Sequence, residues 1–224
     1  MSCASADFRC RKAPPSHDRH TFSFMRPWYA AARAMLRACL RLCFRLRGEG
    51  VERVPSGGLL LVSNHASYLD PVAVGSVVPR EIYYLARRSL FRGPMAGLLT
   101  SVNTIPTARE RPEPAALRKI LSLLADGHGV LIFPEGTRSA DGSLAPAEPG
   151  AGFLAAQARV PILPVRIFGS FEALPRSSRF PRLAPIRVVI GSPYPPRPIG
   201  EGETKKDYYR SLADEMMQRI GELR

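Results

Sequence analysis

The run LLLVSNHASYLD, residues 59–70, changes character halfway along. Leu59 to Val62 is a short continuous apolar segment, the pattern of a strand buried on both faces. Asn64, His65 and Asp70 follow at once, residue types with no place in an apolar layer. Residues 130–139, VLIFPEGTRS, repeat the device: four apolar residues, then Glu135, Gly136, Thr137 and Arg138. In parallel sheets ligands gather outside the carboxyl ends of the strands. Two such strands lying side by side would bring both polar tails into one crevice.

Outward from this pair, apolar runs at 82–86, 162–168 and 186–190 read as further strands. Residues 114–126 read as a helix with Leu117, Ile120, Leu121 and Leu124 on one face, and Gly127 is its stop signal. A short helix is expected over 150–158. A terminal one is expected over 204–223, with Tyr208, Leu212, Met216 and Ile220 toward the body. Strands alternating with helices predict an α/β fold: a single domain with a largely parallel sheet flanked by helices.

Residues 27–46 read as one helix rich in Ala, Leu and Arg. Arg33, Arg37, Arg41 and Arg45 recur every four residues and form a basic stripe. Met35, Leu36, Cys39, Leu42, Cys43 and Leu46 fall mainly on the other side. A basic amphipathic helix with Trp28 and Tyr29 near its start suits an anionic bilayer surface. The plainer reading is a helix packed on its own domain with a solvated Arg face. The division expected is a disordered basic leader over 1–24, an amphipathic membrane-interface helix over 25–47 and the main domain over 48–224. Met25 is an alternative start.

The net charge of +13 on 224 residues implies an anionic partner: nucleic acid, lipid or a phosphorylated substrate. Of this, +8 lies in residues 1–47, on the leader and one helix rather than among exposed aromatics, which disfavours nucleic acid. Cys3, Cys10, Cys39 and Cys43 complete no metal-ligand spacing and suit a reducing compartment. No P-loop occurs, which disfavours nucleotide hydrolysis. No Gly-x-Ser-x-Gly elbow occurs, so a serine hydrolase lacks its nucleophile.

His65 and Asp70 are five residues apart, about 140° around a continuous helix, so they meet only if the chain turns between them. Pro71 suits the first turn of a helix, with Asp70 as its N-cap. In that plain reading Asp70 only caps residues 71–78. In the chemical reading a fixed carboxylate accepts the proton of one imidazole nitrogen and leaves the other free as a base. The two are compatible. Arg138 offers a planar fork for phosphate and Thr137 a hydroxyl, against the alternative of an ordinary turn with a surface Arg.

NHASYLD and FPEGTRS together resemble two blocks of the PlsC-like glycerophospholipid acyltransferases, which include lysophosphatidic acid acyltransferases. NTIPTAR, residues 103–109, and VPILPV, residues 160–165, resemble the family's second and fourth blocks. The resemblance runs over roughly residues 48–192. It implies transfer of an acyl chain from coenzyme A or acyl carrier protein to the sn-2 hydroxyl of 1-acyl-glycerol-3-phosphate, giving phosphatidic acid. His65 would be the general base and Asp70 its orienter. Asn64, Arg109, Glu135, Gly136, Thr137 and Arg138 would be substrate-binding, and Pro161 and Pro164 would shape the acyl-donor side. It also implies a lysophospholipid partner and a peripheral or monotopic place on the cytoplasmic face of a membrane; separately, no residue cluster in the sequence calls for a metal or bound cofactor. The chemistry is consistent, since an imidazole of pKa about 6.5 is matched to an alcohol proton near neutrality. Ala147-Glu148-Pro149-Gly150 departs from the family, which often has a basic residue there; the departure bears on acceptor identity. Another lysolipid acceptor, or a non-catalytic anionic-lipid-binding module on the same fold, are the alternatives.

Overall fold

Seven strands form one sheet in the computed structural model, which describes residues 27–87, 103–107 and 114–224. The strands are β1 (Arg47–Glu49), β2 (Leu59–Ser63), β3 (Ile82–Arg87), β4 (Thr104–Thr107), β5 (Gly129–Ile132), β6 (Ile162–Phe168) and β7 (Arg187–Ile190). The helices are α1 (Pro27–Phe44), α2 (Asp70–Val77), α3 (Pro114–Ala125), α4 (Pro149–Ala158), α5 (Ser170–Ala173) and α6 (Lys205–Glu222). Sheet order is β1-β7-β6-β2-β5-β3-β4, with β2 at the centre.

β2 is parallel to β5 on one side and to β6 on the other, as the repeated strand-then-polar device required. Its residues alternate between two layers. Leu59 and Leu61 pack with Leu40 and Phe44 of α1 and Val74 and Val77 of α2. Leu60 and Val62 pack with Ile120 and Leu124 of α3, Leu154 of α4, and Leu212, Met216 and Ile220 of α6. Both faces are covered, so the strand reads as an unbroken apolar run.

The parallel pattern breaks between β6 and β7, which are antiparallel; β1 then pairs parallel with β7. Two strands have no counterpart in the sequence reading. β1 is Arg-Gly-Glu, exposed along its length and without an apolar side chain. β4 is Thr-Ile-Pro-Thr at the opposite edge, where a proline is tolerated because one side of the ladder is open. Helix α3 ends one residue before the expected boundary, and Gly127 takes the left-handed conformation (φ 87°) that stops it.

Helix α1 belongs to the same core as the sheet. Tyr29, Leu40 and Phe44 are buried, and the Arg33 guanidinium donates to the Val78 carbonyl. The basic stripe therefore begins on the docked side, and the boundary expected at residue 48 crosses a packed contact. Met35 and Leu42 face outward, 68% and 83% exposed, with the free thiols Cys39 and Cys43 exposed on the same helix. Among the described residues no helix is long and apolar enough to cross a membrane.

Candidate active site

Val62 pairs with Ile132 across the β2–β5 ladder, so Ser63 onward and Phe133 onward leave the sheet side by side. The His65 ring stacks on Phe133 with centroids 4.0 Å apart and planes 16° from parallel. Backbone bonds tie the two tails. The Ser139 N–H donates to the His65 carbonyl at 2.7 Å, and the His65 N–H donates to Glu135 Oε1 at 2.9 Å.

The chain turns sharply between His65 and Asp70, closed by a 3.3 Å bond from the Asp70 N–H to the Ser67 carbonyl. The Asp70 carboxylate is fully buried. Its Oδ2 accepts from the Ala66 N–H at 2.7 Å, the Ser67 N–H at 2.7 Å and His65 Nδ1 at 2.8 Å. The expectation that Asp70 caps α2 is therefore corrected. The cap position is Leu69, and no side chain bonds to the helix's first N–H groups. The carboxylate has folded back onto the residues before it, because the turn aims two N–H groups and the imidazole at one oxygen. An acceptor already serving two backbone donors favours the tautomer that donates from His65 Nδ1, which turns Nε2 away from the carboxylate.

Two residues expected to bind substrate are committed to the backbone instead. Asn64, buried, exchanges two bonds with Ile167 of β6, donating from Nδ2 to its carbonyl (3.0 Å) and accepting its N–H on Oδ1 (2.8 Å). It continues the β2–β6 ladder through a side chain where the strand has ended. Glu135, also buried, holds the His65 N–H on Oε1 and the Ala145 N–H on Oε2 (3.2 Å). Both side chains use polar atoms to position the tails.

Burial pushes the Glu135 carboxyl above its ordinary value, and the two backbone donors only partly offset it. The folded state thus holds more protons than the unfolded one just above the ordinary carboxylate range. Stability from this group declines as pH rises through that window. Glu135→Gln is expected to remove this slope and to cost about 1–3 kcal/mol, because the amide NH2 then faces one of the two N–H donors. Urea unfolding at several pH values measures both effects.

Arg138 lies across the Tyr68 ring, its guanidinium carbon 3.5 Å from the centroid, and its Nη1 is buried with no hydrogen-bond partner. Tyr68 belongs to the same turn as His65 and Asp70, so it brings the cation to the mouth of the site. Arg138 Nη1 retains donor capacity that no acceptor among the described residues meets. Gly136 has φ 67° and closes the turn through a 3.0 Å bond to the Phe133 carbonyl; it and Thr137 are exposed. Glu148 lies alongside: a Cβ built on Gly136 would be 3.1 Å from Glu148 Cγ. Arg109 lies outside the described residues. Pro161 precedes β6 at the amino ends of the central strands, away from the two polar tails, where its carbonyl accepts from the Leu60 N–H, and Pro164 is buried within β6 opposite Val62. Sequence reasoning overlooked Phe133 and Tyr68; the signal was an aromatic beside each polar tail.

Among the described residues no cluster of three His, Cys, Asp or Glu is arranged to hold a metal ion. The arrangement offers an oriented imidazole with one free nitrogen, beside a cation that lacks an anion.

The family model described as Acyltransferase matches residues 45–168, more than half of the chain. A 1-acyl-sn-glycerol-3-phosphate acyltransferase of Bacillus subtilis is 26% identical over 191 residues, covering 84% of this chain and 92% of that protein. A chloroplastic 1-acyl-sn-glycerol-3-phosphate acyltransferase of Brassica napus is 31% identical over 151 residues, 65% of this chain. The match spans only 44% of the Brassica protein. The crystal structure of a 1-acyl-sn-glycerophosphate acyltransferase from Thermotoga maritima shares the fold, with a TM-score of 0.64 over 89% of this chain and 86% of that one, at 22% identity.

Proposed function

The chain belongs to the PlsC-like acyltransferase family, and from that premise we propose that it moves an acyl chain from a thioester to the sn-2 hydroxyl of 1-acyl-glycerol-3-phosphate. The observation that carries the reading is the 2.8 Å contact between His65 Nδ1 and the buried Asp70 carboxylate, with Arg138, on Tyr68 of the same turn, keeping one guanidinium nitrogen without an acceptor. His65 Nε2 takes the proton of the acceptor hydroxyl as its oxygen attacks the thioester carbonyl. The tetrahedral intermediate collapses, the C–S bond breaks, and the imidazolium returns the proton to the departing thiolate. Asp70 stabilises the imidazolium in between. The hydroxyl attacks directly, so the protein forms no acyl intermediate. Arg138 takes the acceptor's phosphate, with Thr137 and Arg109 as further contacts. Coenzyme A or acyl carrier protein is the donor's carrier.

The enzyme works at the cytoplasmic face of a membrane. Exposed Met35 and Leu42 on α1, near Arg41 and Arg45, support a monotopic seat on anionic lipid.

Labelled acyl-CoA and 1-acyl-glycerol-3-phosphate in liposomes test the reaction: labelled phosphatidic acid is expected, and its absence with the donor intact would overturn the reading. In the same assay Arg138→Ala is expected to raise the acceptor KM about tenfold or more, the scale of a lost charge-assisted bond, with little change in the donor KM. Glu148 beside Gly136 favours a second reading, an acceptor headgroup with a cation next to its anion. A panel with ornithine-type and ethanolamine lysolipids distinguishes the two by their kcat/KM.

A further inference from the structure

The segment between α5 and β7 carries Phe180 and Leu183, 80% and 78% exposed, among three exposed arginines, Arg176, Arg179 and Arg182. None of these arginines forms an ion pair with a described acidic group. Glu172 and Asp141 are the acidic groups beside them, and Asp141 is occupied by Ser139 and Ser143. The loop is braced rather than slack. The Arg182 N–H donates to the Ala173 carbonyl at 2.7 Å and closes its base. Ser178 Oγ donates to the Phe180 carbonyl at 2.8 Å and accepts its N–H at 3.3 Å. Phe180 is therefore held out in solvent by its own backbone bonds, and Leu183 follows the residue that closes the loop's base.

The loop also lies at the edge that matters. It follows the carboxyl end of β6, and the Ser67 hydroxyl, in the His65–Asp70 turn, donates to the Leu174 carbonyl at 2.8 Å. The carboxyl end of α1 arrives at the same edge, because the Ile186 N–H bonds the Phe44 carbonyl and Arg47 starts β1 level with Arg187 and Phe168. An exposed apolar pair ringed by unpaired cations matches the two-part chemistry of an anionic bilayer surface: hydrocarbon below, phosphate above.

We propose that residues 175–183 form a second membrane contact, independent of the Met35–Leu42 face of α1, which turns the carboxyl edge of the sheet and its His65 toward the lipid. The proposal rests on the membrane reading above. The test uses the full chain with Trp28→Phe and Phe180→Trp, leaving one tryptophan, and phosphatidylglycerol–phosphatidylcholine vesicles with plain or brominated acyl chains. A blue shift on binding, and emission about twofold lower on brominated than on plain vesicles, are expected. In an otherwise native chain, Arg176→Gln, Arg179→Gln and Arg182→Gln together should weaken vesicle partition about tenfold or more. This second variant, altered only at exposed positions, decides the matter if the first does not fold. Unchanged emission and partition while the protein still sediments with vesicles would overturn the loop contact and leave α1 as the seat. Failure of the native chain to sediment would overturn both. A shift produced by acyl carrier protein instead of vesicles would also overturn it, in favour of a protein-docking surface.

Discussion

His65→Ala is expected to lower kcat for acyl transfer by about 10²- to 10⁴-fold, the usual worth of a positioned general base. The loss should fall on kcat with the acceptor and donor KM little changed, since Arg138 and the rest of the mouth remain. The fold should survive. The two bonds that join the tails use the backbone of His65, not its ring, so the Ser139 and Glu135 contacts persist in the variant. What is lost structurally is the stack on Phe133, a contact on the order of 1 kcal/mol. Steady-state kinetics with a urea melt on the same sample separate the two effects. A variant that keeps a tenth or more of native kcat would remove His65 from the chemistry, whatever its distance from Asp70.

Asp70 distinguishes an orienting carboxylate from a mere brace, through two substitutions with different expected outcomes. Asp70→Asn keeps an oxygen where Oδ2 now serves Ala66, Ser67 and His65, but removes the negative charge that the imidazolium needs. Activity is expected to fall about 10²- to 10⁴-fold with a stability cost below about 1.5 kcal/mol. Asp70→Ala removes the acceptor altogether. The Ala66 and Ser67 N–H groups are then buried without partners, and about 3 kcal/mol or more of stability should go with the activity. Equal stability loss in both variants with unimpaired Asp70→Asn kinetics would reduce Asp70 to a structural role.

Much of this architecture is legible along the chain because its signals are local. Leu59 to Val62 and Val130 to Phe133 are short, wholly apolar and followed by polar residues, and a strand covered on both faces has to be written that way. The helices α3 and α6 announce themselves by apolar spacing, and α3 by the glycine after it. Where the signal is weak the reading falls short. β1 is two charged residues around a glycine and exists because β7 offers it a ladder, and β4 is a four-residue edge strand interrupted by a proline.

The candidate site divides along the same line. Which chemical groups stand at the strand ends is written in residues 63–70 and 133–139 themselves, and so is the turn that Gly136 permits. What each group does was decided by its distant neighbours. Asn64 is spent on Ile167, 103 residues away, and Glu135 on the backbone of His65, 70 residues away. Arg138, similar to them in polarity, keeps a nitrogen free because it met a tyrosine ring instead of an acceptor. A polar side chain carries its donors and acceptors wherever it goes; only the packed chain determines whether backbone consumes them or leaves them for a ligand.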